Sequence, residues 1–187
     1  MKHVFDKLTY EDIKGEVNNI FNLNAEFPGQ IFEKAQHFIF LEFDAFCLEK
    51  FYKSFVRIAG SSFFFTLDPD PEKYYYHYFE RYNVFTFSET DSFSDYITLL
   101  HRQPEKGAAD AIVDVVNSMI ISSAKSTISI YGNRDLGCLI VGFMDQDSME
   151  KFIIQYGNNH IFSIEDAING LLPRNYQYLD AIKLNYG

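Results

Sequence analysis

The run TISIYGNRDLGCLIVGF, Thr127 to Phe143, decides the fold of this chain. Ile128 and Ile130 alternate with Thr127, Ser129 and Tyr131, the period-2 pattern of a strand with one drier face. The return run is different: Cys138, Leu139, Ile140, Val141 and Phe143 are apolar almost without a break, so that strand is expected to be covered on both faces inside a sheet. Between the two, Gly132-Asn133-Arg134-Asp135 supplies residues that tolerate turn geometry. The stretch therefore reads as a central hairpin over 127–143.

Upstream of it the chain alternates helical and strand patterns. Thr9 with Asp12 resembles an N-cap, and Ile13, Val17, Ile20 and Phe21 come after it at helical spacing. Gln36 to Phe46 reads as a strand. Leu48, Phe51, Tyr52, Phe55 and Ile58 then form a helix closed by Gly60, and Ser61 to Asp68 is a buried apolar strand. A strand, a helix and a strand within about thirty residues predict a right-handed crossover and a parallel pair. Pro69 and Pro71 end that strand, and Val84 to Phe87 reads as a short edge strand. Ser92 or Ser94 is placed to cap a helix through Tyr96, Leu99 and Leu100.

Ala108, Ala111, Ile112, Val115, Val116, Met119 and Ile120 form a helical stripe, with Asp110, Asp114 and Asn117 opposite. Beyond the hairpin, Asp147 opens a helix ended by Gly157-Asn158, and Ser163 opens another stopped near Pro173. The fold class expected is α/β (α+β): a mixed sheet with helices packed on it, in one domain spanning 1–187. No repeat or low-complexity segment interrupts it.

Composition narrows the function classes. A chain of 187 residues that is 47% hydrophobic, with 20 Phe, 13 Tyr and no Trp, has the material for a large aromatic core. Against 16 Lys and Arg stand 26 Asp and Glu, a formal charge of −10. Such a surface repels nucleic-acid phosphates and attracts basic proteins. Cys47 and Cys138 lie in apolar runs and read as free thiols. The charged start MKHVFDKLTYEDIKGE has no apolar h-region, and no apolar run reaches the ~18 residues of a spanning helix. The expectation is a cytoplasmic protein with no membrane partner.

No stretch carries a specific catalytic signature. The sharpest candidate is Asp68 with Asp70 directly after an apolar strand, where two carboxylates could hold Mg²⁺, with Asp44 as a third ligand if its strand lies parallel and adjacent. Over Phe63 to Asp70 this resembles the Asp-x-Asp start of haloacid dehalogenase-like phosphatases, but Pro71 and Glu72 replace that family's small residue and hydroxyl. The resemblance implies a Mg-dependent phosphatase-like enzyme as one alternative; a structural subunit of a larger assembly is another. His3, His37, His77, His101 and His160 lack metal-ligand spacing, and no nucleophile elbow or phosphate-binding glycine loop is present. No cofactor is called for. Tyr131, Arg134 and Asp135 read as turn residues before they read as a binding constellation.

The segment from Asp68 to Asp95 is different in character. It holds seven acids and two bases, a net of −5 in 28 residues, around the tyrosine run Tyr74, Tyr75, Tyr76 and Tyr78. Tyrosine offers large contact area and a polar tip at low rotamer cost, which suits protein recognition. Glu72, Tyr74, Tyr75, Tyr76, Tyr78, Asp91 and Asp95 are therefore the candidate partner-binding residues of a non-enzymatic protein. In size, charge and this aromatic-acidic segment the chain resembles the small cytoplasmic immunity proteins of bacterial toxin and immunity pairs, a resemblance of type without a residue-level motif. It implies a basic, nuclease-type toxin as the partner.

Overall fold

The computed structural model describes residues 1–104, 110–123, 125–172 and 178–187. In chain order its elements are β1 (Lys2–His3), α1 (Lys7–Ile20), β2 (His37–Glu42), α2 (Glu49–Ala59), β3 (Ser62–Asp68), α3 (His77–Phe79), β4 (Val84–Phe87), α4 (Phe93–Leu100), α5 (Ile112–Val115), β5 (Ser118–Ser123), β6 (Ile128–Asn133), β7 (Cys138–Phe143), α6 (Gln146–Tyr156), α7 (Ile164–Asp166) and α8 (Leu179–Tyr186). The strands make one sheet in the order β1-β4-β3-β5-β6-β7-β2. Each strand pair in it is antiparallel.

Period-2 alternation divides the side chains between two apolar layers. Phe64, Phe85, Met119, Ile121, Ile130, Leu139, Val141 and Phe143 face one layer, together with Phe51 and Phe55 of α2, Tyr96 of α4 and Phe152 of α6. Phe63, Phe65, Val84, Ile120, Cys138 and Ile140 face the other, with Tyr10, Ile13, Val17 and Ile20 of α1 and Ile182 and Tyr186 of α8. β7 is buried along its whole length, because it lies between β6 and β2 and is roofed on both sides. β3 is likewise interior, between β4 and β5.

The helices take their bounds from local chemistry. Asp6, rather than Thr9, caps α1: its Oδ1 accepts the Thr9 amide at 2.8 Å. Gly60 ends α2 at φ 68° and donates its N–H to the Val56 carbonyl, a left-handed position that a Cβ would strain. Ser92 and Asp95 form a reciprocal capping box on α4. Asp145, two residues before the expected start, caps α6 by accepting the Ser148 amide at 2.8 Å.

Three expectations are corrected. The stripe from Ala111 to Ile120 is not one helix: α5 spans only Ile112–Val115, and Ser118–Ser123 is an interior strand. Met119 and Ile121 face one layer and Ile120 the other, an alternation that the helical spacing concealed. Ala108 and Pro173 lie outside the described residues. Second, β2 and β3 are not a parallel pair; they point the same way, but β5, β6 and β7 stand between them. Third, β4 is not an edge strand, since β1 pairs with its outer side.

Gly132 also moves out of the turn and into β6. A Cβ there would stand 2.8 Å from Leu139 Cδ2 and 2.9 Å from Met119 Cε, both at the free ends of flexible side chains. At Gly142 in β7 the added carbon would meet Ala35 Cβ at 2.7 Å and the Phe32 ring at 3.0 Å. Gly142→Ala is therefore expected to destabilise the protein by about 1–3 kcal/mol, and Gly132→Ala by less. Urea denaturation of the two variants checks this; a neutral Gly142→Ala would contradict the close approach of the Phe32 loop to the sheet.

Candidate functional site

The tyrosine run forms a helical turn at the end of β3. Asp70 stops the strand and caps this turn, its Oδ1 accepting the amides of Glu72 at 2.9 Å and Lys73 at 2.7 Å. Pro71, which lacks an N–H, stands at the first helical position. A π-helical turn over Pro71–Tyr76 runs into α3 and ends at Glu80, which is left-handed at φ 56°.

Helical winding sorts the four tyrosines. Tyr74, Tyr76 and Tyr78 are 45%, 37% and 58% exposed. Tyr74 and Tyr78, four residues apart, pack with ring centroids at 5.1 Å. Tyr75 points inward and is fully buried. Its hydroxyl donates to the Asp110 carbonyl at 3.0 Å and accepts from Arg81 Nη2 at 3.2 Å. Burial raises its phenol pKa against the opposing pull of Arg81. This corrects its place among the contact residues: it anchors the turn instead of presenting a surface.

A column of rings connects the turn to the sheet. Tyr76 stacks on Tyr82 at 4.5 Å, Tyr82 on Tyr10 of α1 at 4.0 Å, and Tyr10 on Phe65 of β3 at 5.8 Å. Offset stacks of this kind contribute about 0.5–1.5 kcal/mol each beyond burial. Glu72 is tied to the same helix, its carboxylate 3.8 Å from Lys7 Nζ and 3.4 Å from Lys14 Nζ. Phe5, just before α1, and Leu8, in its first turn, are large apolar side chains left exposed. Nothing local in the sequence marks them, because their exposure depends on how α1 docks.

Asp91 and Asp95 lie elsewhere. β4 runs from Val84 to Phe87, so the tyrosine turn precedes its start while both acids come after its end, with about 14 Å of strand between them at ~3.4 Å per residue. Asp91 binds the Met1 ammonium and accepts from the Ser88 amide and hydroxyl. Burial pushes its carboxyl up, but these partners outweigh that and hold it below the usual carboxylate range. Asp95 closes the capping box with Ser92. The 68–95 segment thus presents two surfaces, not one.

The alternative metal ligands also separate. Asp68 accepts from Asn117 Nδ2 at 3.1 Å, and Asp70 is occupied as a cap. Asp44 lies just beyond β2, four strand positions from β3, or about 19 Å at ~4.8 Å per strand. The expected third ligand is therefore out of reach. Among the described residues no group of three His, Cys, Asp or Glu side chains is placed to hold a metal ion. Burial pushes the Cys47 and Cys138 thiols up to about 12, which keeps both protonated at neutral pH.

Around the hairpin turn, Arg134 donates to the Val113 and Asp114 carbonyls at the end of α5, and Asn133 Oδ1 accepts the Leu136 amide. These are fold-holding contacts. No helix among the described residues is long and apolar enough to cross a membrane. Comparison with protein families, with curated proteins and with solved structures finds no match to this chain.

The buried side of the turn can be probed by stability. Tyr75→Phe should cost about 1–3 kcal/mol in urea denaturation, because it strands the Asp110 carbonyl and one Arg81 donor, whereas Tyr78→Phe should stay within about 0.5 kcal/mol. Equal effects would mean that the inward and outward assignments are wrong. His3, buried beside Phe85, has its pKa lowered to about 4 by burial and by the charges of Arg81 and Arg102. The Val84 carbonyl pulls the other way without meeting a ring nitrogen in hydrogen-bond geometry. A base depressed below its unfolded value of 6.5 binds fewer protons folded than unfolded between about pH 4 and 6.5, so its contribution is present above pH 6.5 and lost as pH falls towards 4. Wild-type stability should decline over that window by up to ~3 kcal/mol, and His3→Phe should flatten the decline.

Proposed function

We propose that this chain is a non-enzymatic binding protein that docks a basic protein, in the manner of a bacterial immunity protein covering a cationic toxin domain. The observation that carries the reading is the exposure of Tyr74, Tyr76 and Tyr78 on one short turn that is pinned from beneath by the Tyr76–Tyr82–Tyr10–Phe65 column. Rigid aromatics with a wet hydroxyl bind with little rotamer entropy lost and are enriched among hot spots.

Charge supports the choice of partner. Asp6, Glu11, Asp70 and Glu72 stand close enough to the ring column to act on Tyr10 or Tyr82, and Lys7 and Lys14 lie against Glu72, within a chain of net −10. Steering of a cation then comes from the whole molecule more than from the turn, because Glu72 is already paired. The partner to test is a basic toxin domain encoded beside this gene.

In surface plasmon resonance against that domain, Tyr74→Ala and Tyr78→Ala should raise the dissociation rate, by an amount equivalent to about 2 kcal/mol at a hot spot. Neutralising Glu11 and Glu80 should lower the association rate and flatten its salt dependence, since screening acts over ~8 Å at physiological ionic strength. Asp95→Asn, at the other end of β4, should leave the dissociation rate unchanged. Folded tyrosine variants with unchanged rates would remove the turn from the interface.

A further inference from the structure

Beneath the turn, on the α2 side of the sheet, polar side chains accumulate without partners. Thr66 and Asn83 extend the register of the paired residues Phe65 and Val84 and share the face of Phe64 and Phe85. Both are fully buried. Thr66 Oγ1 and both polar atoms of the Asn83 amide have no hydrogen-bond partner among the described residues. Arg81, two residues before Asn83, is only 6% exposed. Its Nη2 donates to Tyr75 and to the Arg102 carbonyl, but its Nε is also without a partner. His3, aligned with Phe85 across β1 and β4, adds two more unpartnered ring nitrogens.

These groups share a chemistry. The Arg81 Nε–H, the Asn83 NH₂, the Thr66 hydroxyl and one N–H of a neutral imidazole can donate, while Asn83 Oδ1 and the second His3 nitrogen can only accept, and Arg102 adds a second cation close enough to act on His3. Among the described residues no carboxylate lies within ion-pair distance of Arg81, Asp110 included. In a chain of net charge −10 this is a buried positive spot lined with free donors. Buried charges are ordinarily paired and buried donors ordinarily satisfied.

We infer that Arg81, Asn83, Thr66 and His3 form an internal site for a small inorganic monoanion of chloride size, which neutralises the guanidinium and accepts from the surrounding donors. The site lies on the sheet face opposite the Tyr10–Tyr82 column, and a filled site would fix Arg81 and, through it, the Tyr75 hydroxyl that holds the tyrosine turn. The inference is independent of which partner the turn binds.

The test compares melting temperatures in sodium chloride, sodium bromide and sodium gluconate at matched ionic strength and pH 7.5. Chloride and bromide should raise the melting temperature of the wild type saturably, by about 2–4 °C, and gluconate, too bulky for an interior site, should not. Arg81→Met should abolish the halide-specific increment; if that variant fails to fold, Thr66→Val and Asn83→Leu, which remove donors without removing the charge, should reduce it. Glu105→Gln should leave it intact. Equal melting temperatures in chloride and gluconate would overturn the site. So would a halide increment that survives Thr66→Val and Asn83→Leu, or one that is absent from the wild type and appears only in Glu105→Gln, which would make the chain its own source of the neutralising charge. Bromide-soaked crystals should place an anomalous peak beside Arg81 Nε.

Discussion

A sheet that is apolar on both faces must be roofed on both faces, and this constraint organises the molecule. β3 carries Phe63 and Phe65 to one side and Phe64 to the other; β7 carries Ile140 to one side and Leu139 and Val141 to the other. Fully burying one such side chain is worth roughly 1.5–3 kcal/mol, so exposing either face would cost more than a domain's whole net stability of ~5–15 kcal/mol. The helices α2, α4 and α6 cover one layer and α1 and α8 the other. Their amphipathic spacing and caps serve that covering.

The candidate surface is a consequence of how the second roof ends. α1 brings Tyr10 over Phe65, and the stack continues outward through Tyr82 to Tyr76, so core packing passes without a break into a solvent-facing ring. On the other side of the same turn Tyr75 goes down towards Arg81 and Asp110. One turn is thus fastened to both layers. Of its outward tyrosines, Tyr76 is held by the buried Tyr82, while Tyr74 and Tyr78 pack on each other.

Much of this could be read from residue order, and the exceptions have physical causes. The hairpin, the burial of β7 and the strand at Ser62–Asp68 are set by short-range pattern. β5 is not, because Ile112, Val115, Val116, Met119 and Ile120 fit a helical stripe, and a strand buried on both faces has no polar rhythm to set against it. Antiparallel order was also hidden: the β2–α2–β3 connection looks like a parallel crossover until the three later strands are inserted between its ends. The tyrosine run was visible as a run. Which of its members faces water depends on the tertiary anchor at Arg81, and the roles of Asp91 and Asp44 depend on the N-terminus and on the far edge of the sheet, none of which local sequence records.

The central claim, a seven-stranded antiparallel sheet sealed on both faces, is tested most directly by native-state hydrogen exchange. The account predicts that amides of Phe63–Phe65, Met119–Ser122, Ile128–Tyr131 and Leu139–Val141 exchange only through global unfolding, while Lys2 and His3 on the outer strand exchange through local opening at lower free energy. Fast exchange across Met119–Ser122, at rates like those of β1, would contradict it, since without an interior β5 the two halves of the sheet have nothing to join them.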